Sequence, residues 1–350
     1  MKAVVLTKPK TIKIEEREYP ICGEDEALVR IDAVGICGSD LHFFSDFRIG
    51  SAKIEKTRIL GHEACGTVVE VGRRVSHIKP GERVALDPTR GCGVCRRCRS
   101  GLEHLCDLGA PRFLGNAYTD GVMQEYVAVP ASRACLLPKD CPVERACLIE
   151  PFSVALHAAG KPSIHYGDRA VILGAGCIGL MLLFALREHG VRDIAVVDLV
   201  DARLRKAEGL GASLVLNAGA CDVNKRILEY TEGEGMDLVF ETAGSSFTQT
   251  QTVELLGKGG RIVLVGMSGA PSAPMDLNTL LRKEGTIYTV FRFTTEFLTA
   301  ARMVCRHGTK LEQVITHRYP CEEAQKAFED CMEHKDEVIK AVVQFHNTDR

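Results

Sequence analysis

The chain has 350 residues, 45% of them apolar and 26% charged, with no tryptophan and a formal net charge of −2. That length suffices for two domains with cores of their own, and the near-neutral charge supplies no basic field to attract nucleic acid or an anionic membrane. No apolar run reaches transmembrane length: the longest, residues 178–186, stops at Arg187 and Glu188.

The opening MKAVVLTKPKTIKI lacks the apolar core of a secretion signal and reads as a first strand. Fifteen cysteines without such a signal read as metal ligands and reduced thiols, not as a disulfide framework, so a cytoplasmic protein is expected. Residues 2–6, 11–16 and 26–36 read as strands, with turn signals at Lys8-Pro9 and Cys22-Gly23. GICGSDLHFF follows, Gly35 to Phe44. Its Cys37 is either a reachable thiol between glycines or a small core residue. Ser39 and His42 either relay protons or cap a short helix begun by Ser39-Asp40.

Residues 60–75, LGHEACGTVVEVGRRV, set His62 beside Glu63 and run into an alternating strand at 67–71. Imidazole and carboxylate both suit zinc, although a capped histidine beside a solvated acid is the plainer alternative. Residues 92–106, CGVCRRCRSGLEHLC, carry the sharpest local pattern: Cys92, Cys95, Cys98 and Cys106 in C-x2-C-x2-C-x7-C spacing. Tight Cys-x2-Cys turns bring thiolates to one centre, and four of them close a tetrahedron with no open position, the mark of a structural zinc lobe. Arg96, Arg97 and Arg99 invite a nucleic-acid reading. Glu103, Asp107 and the lack of interleaved aromatics argue against it.

A strand is expected at 123–129 and a helix from about Pro151, just after Glu150. A carboxylate there either compensates the helix dipole or faces a metal. From residue 168 the pattern becomes strand–helix alternation. A buried strand at 169–173 precedes Gly174, Gly176 and Gly179 in G-x-G-x-x-G, a helix to Gly190, a strand at 194–197, and Asp198, 19 residues after the last glycine. In that context the triplet is a dinucleotide fingerprint: a tight turn, close approach of backbone to pyrophosphate, and close helix–strand packing. Asp198 favours NAD over NADP by accepting the ribose hydroxyls, with Arg203 a mild counter-signal. Strands at 214–217, 238–241 and 261–265, and helices near 222–231 and 247–257, continue a doubly wound parallel sheet. The carboxyl ends of its strands bring ETAG (Glu241), VGM (Val265, Gly266, Met267) and VFRF (Val290, Phe291, Arg292, Phe293) toward the cofactor. After about residue 293 the rhythm gives way to two helices and two short strands.

Gly61-His62-Glu63 with Gly66, Gly72 and Val75 matches the zinc-containing alcohol dehydrogenase signature G-H-E-x2-G-x5-G-x2-V. With GICGSDLH, the four-cysteine lobe, IEPFSV, the glycine triplet and VFRF in order, the whole chain resembles the medium-chain dehydrogenase/reductase superfamily. HFFSDFRIG, LIEPFSVALHA, VFRF and THRYP resemble its polyol (sorbitol, L-iditol) branch, and RFTTEF its idonate-type sugar-acid enzymes. The resemblance implies an α/β protein. A GroES-like, mostly β catalytic domain comprises 1–150 and 293–350, with the zinc lobe at about 90–107, and a Rossmann NAD domain comprises 151–292. It implies one catalytic and one structural Zn2+, with Cys37, His62 and Glu63 at the catalytic ion. Glu150 is near it, often through water, or exchanges with Glu63 as a ligand. Ile178 joins the glycine loop, Asp198 and Arg203 the adenosine ribose, and residues 265–267 and 290–292 the nicotinamide.

Phe43, Phe113, Glu150, Arg292 and Phe293 are the implied substrate contacts. Phe43 replaces the family's common pocket tyrosine, which puts sorbitol itself in question and leaves room for another sugar alcohol or a sugar acid. The expected reaction takes a secondary alcohol to a ketone with hydride passing to NAD. The proton leaves through Glu150 and water or through Ser39 toward His42. The rival readings are a threonine, butanediol or sugar-phosphate dehydrogenase of the same superfamily, and a non-enzymatic dinucleotide-binding zinc-ribbon protein. No nucleic-acid or membrane partner is expected, and a homodimer or homotetramer is, through the strand near 286–290.

Overall fold

The computed structural model describes residues 1–109, 112–269 and 272–346, and of 307–309 the backbone only. The chain divides into two compact units, Met1–Glu150 with Thr294–Arg350, and Pro151–Phe293. The first boundary falls inside the helix Ile149–Ala159.

The first unit is built on a seven-stranded mixed sheet among the described residues. Its middle is a run of neighbours: Arg83–Leu86, Glu63–Val71, Glu26–Gly35, Lys340–Gln344 and Ile315–Pro320. Glu26–Gly35 is mostly apolar and nearly all buried, as befits a strand covered on both faces. Glu63–Val71 starts four residues earlier than the alternation at 67–71 suggested, because its first half is buried on both faces and so carries no alternation. Residues 123–129 pair later than expected, as Tyr126–Pro130. A smaller sheet of Thr11–Glu16, Lys2–Lys8 and Arg58–Ile59 packs into the same core, which includes Val5, Ile31, Phe44, Leu60, Met123 and Phe328.

The second unit is a six-stranded parallel sheet in the order Leu214–Asn217, Ile194–Asp198, Ala170–Leu173, Met236–Glu241, Leu256–Leu264, Thr286–Thr289. Parallel neighbours need crossovers, and the helices Cys177–Glu188, Asp201–Leu210, Val223–Tyr230 and Ser246–Leu255 lie between successive strands. The order reverses at Ala170–Leu173, whose neighbours are the second and fourth strands in sequence. The crevice beyond its carboxyl end is therefore the ligand position of such sheets. Leu256–Leu264 begins well before the expected 261, through three glycines and a register shift opposite Met236 and Leu238.

Candidate active site

Strand register assembles the first cluster. Gly35 pairs with Glu63 and with Val342, both antiparallel. Continuing each ladder past Gly35 brings Cys37 alongside the His62 end of one strand and the Lys340 end of another. Ile36 N–H donating to Ala341 O at 2.9 Å keeps the second ladder going. Cys37 Sγ, a His62 ring nitrogen and a Glu63 oxygen all lie within 4.8 Å of one another. His62 and Glu63 are buried. Gly35 is required here because a Cβ on it would sit 2.2 Å from Glu63 Oε2.

Two charged residues that sequence reasoning missed complete the surroundings. Lys340 Nζ donates to Glu63 Oε1 at 2.8 Å, to Glu63 Oε2 at 2.7 Å and to Ile36 O at 2.9 Å, with both side chains almost wholly buried. The available signal was a lone lysine at an inward position of the apolar strand IKAVV. Asp40, fully buried, accepts from Cys37 N at 3.0 Å and Gly61 N at 3.1 Å, and its Oδ1 lies 3.8 Å from His62 Nδ1. Its signal was an acid in the first turn of a helix. That helix is Gly38–Asp46 with Cys37 as its N-cap, so the capping contact given to Ser39 belongs to Asp40 instead.

The electrostatics favour a cation. Burial alone would depress the pKa of His62, but the Asp40 carboxylate and Cys37 lift it to about 10. Its Nδ1 is buried with no hydrogen-bond partner among the described residues. Glu150, in the first turn of Ile149–Ala159, is pushed up to about 7 by burial, with Glu63 adding to the rise and His62 and Lys340 opposing it. Glu150 thus feels His62 and Glu63 but stands outside the set of three ligand atoms. One thiol, one imidazole and one carboxylate in a buried pocket that attracts positive charge form a donor set that fits zinc.

The second cluster is the lobe. The sulfurs of Cys92, Cys95, Cys98 and Cys106 lie within 4.8 Å of one another, Cys92–Cys98 and Cys95–Cys106 each at 3.9 Å. Four sulfurs at zinc bonding distance form a tetrahedron with an edge of about 3.8 Å. Backbone N–H groups of Cys95, Cys98 and Cys92 point at the sulfurs of Cys92, Cys95 and Cys106. Those from Cys95 and Val94 bring the Cys92 thiol down to about 6, while burial pushes Cys98 up to about 12. Arg133 ties the lobe down by ion pairs to Asp87 and Glu103.

In the second unit, Gly174 has φ +106, and a Cβ on Gly179 would lie 1.9 Å from Gly174 O. A Cβ on Gly176 would meet nothing within 4 Å, which leaves its backbone open at the start of the helix Cys177–Glu188. Asp198 Oδ2 accepts from Ala175 N at 2.7 Å, and Oδ1 accepts from Leu199 N at 2.8 Å and Val200 N at 3.0 Å. Arg203 Nη1 lies 4.0 Å from Asp198 Oδ2. This is the geometry of a dinucleotide site.

The chain matches the alcohol dehydrogenase GroES-like domain over residues 23–139 and the zinc-binding dehydrogenase family over residues 177–306. It belongs to the zinc-type alcohol dehydrogenases of the medium-chain superfamily. The dehydrogenase is 39% identical over 343 residues to an uncharacterised zinc-type alcohol dehydrogenase-like protein of Escherichia coli, covering 97% of each chain. It is 34% identical over 343 residues to the sorbitol dehydrogenase of Bacillus subtilis, covering 98% of this chain and 97% of that one. The solved structure of L-idonate 5-dehydrogenase from Escherichia coli superposes with a TM-score of 0.91 at 28% identity, covering 98% of both chains.

The remaining sequence-selected residues of the dehydrogenase fall unevenly. Phe113 is buried with its ring 5.5 Å from that of His62. Phe43 is 4% exposed and packs in the first unit's core, and Phe293 is wholly buried. Both were expected at the substrate; Phe43 is covered to the same degree as Phe113, and Phe293 more so. His42 is exposed, and no hydrogen bond links it to Ser39 among the described residues. Ile178, Val265, Gly266 and Val290 are half-buried and Met267 and Phe291 exposed, near the carboxyl ends of the parallel strands. Arg292 adopts φ +59 and stacks its guanidinium 4.7 Å from the Phe291 ring centroid. A non-glycine residue in that region is a strained one, of the kind that gathers at ligand sites. No helix among the described residues is long and apolar enough to cross a membrane.

Proposed function

We propose that the dehydrogenase oxidises a secondary alcohol of a polyol or sugar acid to the ketose or keto acid, with NAD as hydride acceptor and one catalytic and one structural zinc per chain. The observation that carries this reading is the buried Cys37–His62–Glu63 set with Glu150 beside it. Its likeness to a sorbitol dehydrogenase and to L-idonate 5-dehydrogenase supports the substrate class.

Cys37, His62 and Glu63 would hold the zinc, which would supply Lewis acidity toward the alcohol oxygen. Lys340 fixes Glu63 by gripping both its oxygens, and Asp40 sits behind His62 to set the ring's orientation. Glu150, buried beside the three ligand residues, takes the alcohol proton, directly or through water. Phe113 excludes water from one side of His62. In the second unit Asp198, anchored by three backbone amides, presents a fixed negative charge that repels a 2′-phosphate. Arg203, 4.0 Å from that carboxylate, offsets part of its charge, so the preference for NAD rests on Asp198. The dehydrogenase assembles as a homodimer or homotetramer, the edge strand Thr286–Thr289 being available for pairing.

Ultraviolet absorbance of the reduced cofactor, followed over polyols, sugar acids, sugar phosphates, threonine and butanediols with NAD and with NADP, tests the reading. Turnover of a polyol or sugar acid with NAD is expected, and metal analysis should find two zinc ions per chain. Turnover confined to threonine, a diol or a phosphate would reject the substrate class while retaining the chemistry.

A further inference from the structure

The sulfurs of Cys141 and Cys305 lie 2.7 Å apart. Cys65 and Cys147, the other close pair outside the two metal-type clusters among the described residues, stand a full ångström farther apart, at 3.7 Å. The first pair is on the way to the ~2.05 Å of a disulfide bond. Neither thiol joins a third metal-ligating atom among the described residues, so a metal does not account for the approach.

The surroundings hold both cysteines in place. Cys141 closes a turn at 138–141, its N–H donating to Pro138 O at 3.0 Å and its carbonyl accepting from Arg83 at 3.1 Å. Cys305 lies on the helix Phe297–Leu311, which packs against the helix Val143–Ala146. Arg145 on the short helix pairs with Glu312 just past the long one at 2.8 Å. Cys141 is buried, and Cys305 is half-buried and therefore reachable by a small molecule. The pair is also chemically asymmetric. The contact with Cys141 lowers the Cys305 pKa and Arg145 helps, against burial, Cys135 and Asp140, while the contact with Cys305 and burial push the Cys141 thiol up. Cys305 is the more accessible of the two thiols and the one whose pKa is drawn down, so it is placed to react first.

The geometry points to a reversible dithiol–disulfide site at Cys141 and Cys305, oxidised by hydrogen peroxide and separate from both metal-type clusters. Cys305 thiolate attacks one peroxide oxygen: an S–O bond forms, the O–O bond breaks, and hydroxide leaves to become water. Cys141, giving up its proton, attacks the resulting sulfenic sulfur: the S–S bond forms, the S–O bond breaks, and a second water leaves. The two sulfurs lose two electrons and the peroxide gains them. A small dithiol reverses the bond by exchange.

The test treats the zinc-loaded dehydrogenase with limiting hydrogen peroxide, alkylates the remaining thiols and maps the unreduced digest by mass. A Cys141–Cys305 linked peptide pair is expected, two hydrogens lighter than the reduced peptides together. It should appear before Cys92, Cys95, Cys98 or Cys106 is oxidised and open again with dithiothreitol. In Cys141→Ser the link should vanish and Cys305 should become trappable by a sulfenic-acid reagent. Sulfinic acid on wild-type Cys305 with Cys141 still alkylated, or a Cys135–Cys305 link in its place, would overturn the assignment. So would survival of both thiols after the lobe cysteines have oxidised.

Discussion

Lys340 carries its charge into a buried, otherwise apolar strand and finds Glu63 there, 277 positions away in the chain. Removing one partner of such a pair leaves the other charge uncompensated, at a cost of about 3–5 kcal/mol. Lys340→Met is therefore expected to lower the stability of the metal-free protein by that amount in urea melts. Adding Glu63→Gln to the same chain should recover most of the loss; equal losses in the single and double variants would show that the pair is not what Lys340 supports. Glu150 behaves in the opposite sense to a salt-bridged acid. Burial raises its folded-state pKa from 4.5 to about 7, so between those values the folded chain holds a proton the unfolded chain has released. Its contribution is fully present below about pH 4.5 and is lost as pH rises toward 7. In thermal melts of the metal-free protein, Glu150→Gln should gain on the wild type between pH 5 and pH 8, by about 2.5 kcal/mol. A constant gap across that range would remove the buried proton from the account.

Among the elements, the four-cysteine lobe has little apolar substance of its own. The short helix Arg96–Arg99 has no buried residue, and Val94, Leu105 and Leu108 are exposed. Its order must come from the sulfurs and from the Arg133 clamp. Cys95→Ser is expected to lose one equivalent of zinc and several degrees of thermal stability. The hydride-transfer rate per folded active site should stay within about twofold, since the altered sulfur belongs to the other cluster. Full thermal stability in that variant would make the lobe dispensable.

For the whole molecule, the chain leaves its first unit at the helix Ile149–Ala159, builds a second, and returns to place Lys340–Gln344 inside the first sheet. The N-terminal strand is fastened to the returning segment by Lys2 and Glu322 at 2.7 Å. The second unit ends in an open edge strand, Thr286–Thr289, preceded by a short helix whose Leu277 and Leu281 are 60% and 74% exposed. An unpaired edge beside exposed leucines calls for a partner. Size-exclusion chromatography should find an oligomer for the wild type and a lighter species for Leu281→Asp. Identical elution of the two would locate the interface elsewhere.

Local chemistry alone made much of this legible. A C-x2-C-x2-C-x7-C run announces its lobe because its ligands are neighbours in sequence, and G-x-G-x-x-G before a helix and 19 residues ahead of an acid announces a dinucleotide loop because turn, helix start and strand end follow within one βαβ unit. The doubly wound sheet followed from the same strand–helix rhythm. Other features depended on distance in the chain. Lys340 reads as an oddity in an apolar strand until the register Val342–Gly35–Glu63 aligns three strands and puts the lysine on the carboxylate. Asp40 reads as a cap until the backbone brings His62 beside it. Phe43 and Phe293 are expected at the pocket from motif position, which says nothing about how deeply the core covers each ring. Sequence determined the elements and which residues could serve as ligands, since those rest on neighbouring residues; tertiary structure decided which charges meet and which rings are buried, since those rest on contacts between segments that are not neighbours in the chain.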